Sequence, residues 1–114
     1  MLETDAIRSI LISHAALGRT VTYSELFQKA GIPFSRPRVR ALCRILAEID
    51  REGRAHGEPE LAVLVVRGRD RLPGDGWWAD RNRYTGPWEG EQAAAYVAKI
   101  QRKTQRFWQE KHIT

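Results

Sequence analysis

The chain has 114 residues, 42% of them hydrophobic and 29% charged, with one cysteine and a formal net charge of +5. That length allows one modest core, the single cysteine excludes an internal disulfide, and no apolar run reaches a membrane span. The basic balance points to a polyanionic partner, nucleic acid ahead of a membrane surface, in a cytoplasmic protein forming one domain over 1–114.

Residues 4–17 predict a helix. Thr4 caps it, Asp5 suits the positive helix start, and Ile7, Ile10, Leu11, His14 and Leu17 form an inward stripe that Gly18 ends. Residues 20–22 allow a brief strand. Thr22-Tyr-Ser-Glu25 is then a capping box, in which the threonine and glutamate side chains each satisfy the other residue's backbone N–H. A short helix follows to about Ala30, with Leu26, Phe27 and Ala30 inward, and Gly31-Ile-Pro33 stops it.

Ser35 to Arg54 reads as a longer helix. Val39, Leu42, Cys43, Leu46 and Ile49 share one stripe at the helical period, and Arg36, Arg40, Arg44 and Arg51 fall on another face. Arg38 projects near the apolar edge and is expected to snorkel or meet a carboxylate. Short helix, turn and longer basic helix is the order of a helix-turn-helix, in which the second helix reads the nucleic acid.

Beyond Gly53 the chain is polar, and Glu58 and Glu60 read as solvated. LAVLVVR (61–67) predicts a strand covered on both faces, or a central one. Residues 68–76 carry turn signals at Pro73-Gly74 and Asp75-Gly76, so a hairpin wing is expected there, with Trp77 and Trp78 beginning a returning strand. On that wing Arg67, Arg69 and Arg71 alternate and would project from one face toward phosphates or a minor groove. Of the two tryptophans one belongs to the core, and the other is free to stack on a base or a partner protein. Residues 79–88 have no period. A last helix from about Gly90 to His112 carries Ala93, Tyr96, Val97, Ile100, Thr104, Phe107 and Trp108 inward, with Lys99, Arg102, Lys103 and Arg106 opposite.

GRTVTYSELF (18–27), the arginine helix and PELAVLVVRGRDRLPGDGWW (59–78) together resemble the DNA-binding domain of the alkylguanine-DNA alkyltransferases and their alkyltransferase-like relatives. The resemblance covers roughly residues 5–78. It implies a winged helix and sets Tyr23 against the DNA backbone. The family's Pro-Cys-His-Arg acceptor run aligns with Pro59-Glu60-Leu61-Ala62, so the cysteine, histidine and arginine of that run are missing, and Arg36 and Arg38 are both offset from the family's helix arginine. Self-alkylation needs an activated thiolate, which Glu60 cannot supply, and Cys43 reads as a buried structural thiol.

The expected fold is therefore α+β, mainly α: a winged helix-turn-helix over 1–78, and over 79–114 a loop and an additional basic C-terminal helix. The expected function is non-enzymatic binding of nucleic acid, DNA ahead of RNA. Its contacts would come from Tyr23, Arg36, Arg40, Arg44, Arg51, Arg67, Arg69 and Arg71, with Trp77 and Trp78 as stacking or partner contacts. No cofactor or metal is expected, because His14, His56 and His112 are scattered without ligand spacing. The alternative is a protein-interaction module, of adaptor, inhibitor or immunity type, using the aromatic segment 77–88 or the last helix.

Overall fold

The capping box forms as the spacing predicts. In the computed structural model, Glu25 N–H donates to Thr22 Oγ1 at 3.1 Å and Thr22 N–H donates to Glu25 Oε1 at 2.9 Å. The structure describes residues 3–113 apart from Asp80 and Asn82. The side chain of His112, one of the three scattered histidines, lies outside the described residues.

Helix α1 spans Thr4–Ala16, strand β1 Val21–Thr22, α2 Tyr23–Ala30 and α3 Arg36–Ala55. A 3-10 turn at Ala62–Leu64 leads into strand β2, Val65–Val66, followed by α4 at Asp75–Ala79 and α5 at Gly90–Ile113. Glu3, not Thr4, occupies the cap position of α1, and it makes no side-chain cap bond. Ile7, Leu11 and Ala15 are buried as the stripe requires, but Leu17 is exposed beyond the helix end. His14 is half-buried, and among the described residues nothing pairs with its Nδ1. Gly31 caps α2 at φ +72°, and the Ser35 hydroxyl accepts the Arg38 N–H at the start of α3. Leu42, Leu46 and Ile49 carry α3 into the core beside Leu26, Phe27 and Leu11.

The 61–67 strand is corrected. Leu61 and Val63 to Val66 are buried as the apolar run implies, yet only Val65 and Val66 are extended, pairing in parallel with Val21 and Thr22. Side chains take the backbone groups that a longer strand would have offered to a neighbour. Asp50 accepts the N–H of Leu61 at 2.7 Å and of Ala62 at 3.3 Å. Gln101 Nε2 donates to the Val63 carbonyl at 2.9 Å, and the Thr104 hydroxyl donates to the Glu60 carbonyl at 2.7 Å. Buried backbone polar groups need partners of some kind, and here helices α3 and α5 provide them.

The hairpin wing is corrected as well. Residues 67–72 close on themselves through Arg67 N–H to the Leu72 carbonyl and Arg71 N–H to the Arg67 carbonyl, at 2.8 and 2.9 Å. Asp70 fastens this loop by accepting the Leu72 N–H and the Arg67 guanidinium. Trp77 and Trp78 lie on α4 and begin no strand. Gly74 precedes them with its N–H on the Tyr23 hydroxyl at 3.2 Å; a Cβ there would stand 2.7 Å from that oxygen, so any larger residue would have to displace the Tyr23 side chain.

Helix α5 closes the fold by packing Ala93, Val97, Thr104 and Trp108 inward, chiefly against α1 and the 3-10 turn. The result is a mainly helical domain with one small parallel sheet.

Candidate nucleic-acid interface

Helix α3 stands second in a helix, turn, helix unit, and its outer face is arginine. Arg36, Arg40 and Arg44 are exposed, and none has a carboxylate partner among the described residues. Successive members are four residues apart, so they rise about 6 Å per step while turning only slightly around the axis. Arg51 shares the face but pairs with exposed Glu48 at 3.4 Å, a contact of little energy in solvent. Arg38 meets no carboxylate among the described residues; it is exposed, and its guanidinium donates to the Pro33 carbonyl at 3.1 Å.

Beside this face a cleft of about 910 Å³ opens between α3, α4 and the start of α5. Arg44 and Arg54 line it from α3, Arg81 and Arg83 from the segment after α4, and Tyr23, Trp77 and Tyr96 supply rings. Three acids line it: Glu58 pairs with Arg8 at 3.0 Å, and Asp50 and Glu60 are consumed internally. Asp50 spends its oxygens on the Leu61 and Ala62 amides, and burial, outweighing those hydrogen bonds, pushes its carboxyl up to about 6. Glu60 accepts Trp77 Nε1 at 2.8 Å and forms an ion pair with Arg81, which lies over the Trp77 ring at 3.8 Å. Glu60 is thus half-buried and partnered, where the sequence suggested solvation. Arg44, Arg54 and Arg83 have no carboxylate partner among the described residues.

Arg54, Arg81, Arg83 and Asp50 escaped the sequence reading. For Arg54 the signal was present: it follows Arg36 by 18 residues, five whole helical turns, and so shares its bearing. For Arg81 and Arg83 nothing local marked them, because residues 79–88 have no period.

The wing arginines are differently placed from the expectation. Arg67 is mostly buried between Asp70 at 3.0 Å and Asp75 at 3.4 Å. Arg69 pairs with Glu89 at 3.3 Å, and Arg71 donates to the Thr20 hydroxyl. These three are tied within the fold and do not form one projecting row. Burial would raise Asp70, but the Leu72 amide and the Arg67 guanidinium hold its carboxyl below the ordinary value. Tyr23 turns its hydroxyl toward the Gly74 amide, and burial pushes its pKa up. Trp78 is core, and Trp77 is half-buried under Arg81. Cys43 is half-buried at the cleft, and burial raises its thiol pKa, the reverse of nucleophile activation.

Among the described residues no group of three or more His, Cys, Asp or Glu could hold a metal, and no helix is long and apolar enough to cross a membrane. No protein family, curated protein or solved structure matches the chain.

Proposed function

We propose that this is a non-enzymatic duplex-DNA-binding protein of helix-turn-helix type, with α3 as its reading helix. The carrying observation is that Arg36, Arg40, Arg44 and Arg54 lie on one arc of α3 without carboxylate partners among the described residues. Guanidinium groups on the second helix of a helix-turn-helix suit phosphates and the guanine edge. The resemblance to the alkyltransferase DNA-binding domain supports the same reading from the sequence side. In this reading the closed loop 67–72 stands where a wing would be. Its arginines hold the loop's shape, and only exposed Arg69 and Arg71 are near enough to solvent to touch a backbone.

The alternative, a protein-binding surface on 77–88, draws less support. The rings there engage one another. Trp77 meets Trp78 edge-on at 4.8 Å, Tyr84 lies 4.3 Å from Tyr96, and Trp88 stacks parallel to Trp78 at 6.3 Å. Trp88 alone of the segment's tryptophans is exposed.

Each neutralised phosphate contributes about −0.9 to the slope of log affinity against log salt. Titrating a labelled duplex at three salt concentrations should give a steep slope for wild type. Arg40→Ala with Arg44→Ala should flatten it by one to two units, with folding intact because both side chains point away from the core. Wild type that fails to bind duplex even at low salt would sink the proposal.

A further inference from the structure

A second groove, of about 740 Å³, runs between residues 57–59 and α5. Its rim is Lys99, Arg102, Lys103 and Arg106, spaced to occupy one side of the helix and all exposed. None has a carboxylate partner among the described residues. Four cations within two helical turns repel one another, and the acids that line the groove with them are two, Glu58 and Glu110.

This groove and the α3 cleft meet at Glu58, which lines both. The junction is neutralised. Arg8, reaching from α1, places one guanidinium nitrogen 3.0 and 3.2 Å from the two Glu58 carboxylate oxygens. On one side of Glu58 lies Arg54 at the end of α3; on the other lies the Lys99 to Arg106 face. The positive surface therefore runs on across Glu58, while the other acid of this groove, Glu110, lies one helical turn beyond Arg106.

We propose that the duplex engaged by α3 extends across Glu58 onto α5, whose Lys99, Arg102, Lys103 and Arg106 bind its phosphates. This rests on the reading of α3 as a DNA-binding helix. Charge complementarity and continuity with the α3 face name the occupant. The Arg8–Glu58 pair acts by position: it keeps a bare carboxylate out of the path and touches no phosphate itself. Arg36 to Arg54 spans about 27 Å of helix, and the longest extent of the molecule is 39 Å. A duplex advancing about 3.4 Å per base pair would lie along α3 for about 8 base pairs and along the whole molecule for about 12.

The test uses the full chain with labelled duplexes of 8 and 16 base pairs between 50 and 200 mM salt. A quadruple variant, Lys99→Gln, Arg102→Gln, Lys103→Gln and Arg106→Gln, is compared with wild type and with the Arg40→Ala/Arg44→Ala pair. The quadruple variant should lose about 100-fold less affinity than wild type over that salt range on the 16-mer, the effect of four contacts. On the 8-mer the two proteins should differ much less. Arg8→Ala should weaken 16-mer binding, and adding Glu58→Gln should restore it, a rescue that lost packing would not show. Equal salt slopes for wild type and quadruple variant, in the presence of binding that the α3 pair weakens, would overturn the α5 track and leave α3 standing. Tighter binding of a single strand than of duplex would overturn it too. Absence of all duplex binding would remove the α3 reading and the track together.

Discussion

Asp50 carries a proton balance that can be read directly as stability. Its carboxyl titrates near 6 in the fold against an ordinary value of 3.8, because burial disfavours the anion more than the Leu61 and Ala62 amides favour it. Between those values the folded protein binds a proton that the unfolded chain does not. Stability from this group is therefore full below pH 4, falls as pH rises toward 6, and stays lost above that. The amount is on the order of 2–3 kcal/mol. Asp50→Asn keeps a carbonyl oxygen for the amides and removes the titration. Its unfolding free energy should gain on that of wild type by that order between pH 4 and 7, as read by urea denaturation at each pH. Parallel curves would refute the assignment. Asp50→Ala leaves two half-buried N–H groups without their acceptor and should destabilise at both ends of the range, by about 1–3 kcal/mol for each.

At the scale of the element, α5 closes the core with Ala93, Val97 and Trp108. Trp108 is 7% exposed and Thr104 fully buried, with its hydroxyl on the Glu60 carbonyl. Truncation after Thr104 removes Phe107 and Trp108, a loss of about 3–5 kcal/mol for the tryptophan alone. Against a total stability of about 5–15 kcal/mol, the truncated chain should melt far lower or fail to express in soluble form. An unchanged thermal melt would mean that α5 is an appended arm. Helix α5 was legible because its apolar spacing repeats over more than 15 residues, and α2 because its cap is written in four consecutive letters. The 61–67 segment was not legible in the same way. Its conformation depends on Asp50, Gln101 and Thr104, which lie 11 to 44 residues away from the groups they bind. The wing misled for the same reason. Asp70 satisfies a backbone N–H and an arginine at once and converts a turn-rich stretch into a closed loop, although alternation suggested a hairpin. The interface was half legible. Arginines on the helical period of α3 could be found by counting, whereas Arg81 and Arg83 owe their place in the cleft to tertiary packing alone.

For the whole molecule, attraction for a polyanion and stability of the fold pull in opposite directions. The net charge of +5 is not spread evenly. The acids Asp70, Asp75, Glu58, Glu60 and Glu89 are engaged with Arg67, Arg8, Arg81 and Arg69. The α3 and α5 arcs are left with cations that line two grooves sharing Glu58. Like charges so arranged raise the energy of the compact state and lower it again once counterions or phosphates arrive. Salt at 0.15 M shortens electrostatic reach to about 8 Å, which weakens repulsion along and between the arcs. The Arg51–Glu48 and Arg69–Glu89 pairs have both partners exposed and contribute little, so screening them costs little. Raising salt from 10 to 150 mM should accordingly increase the melting temperature of wild type, by about 2–5 °C if the relief is somewhat under 1 kcal/mol. The increase should shrink in the α5 quadruple variant, which should already be the more stable protein at low salt. Duplex at 100 times its dissociation constant should add about 2.7 kcal/mol to wild type by mass action, and the thermal shift should fade as salt rises. A melting temperature that drops on adding salt would show that the ion pairs outweigh the repulsion, and that the basic arcs are an ordinary solvated surface.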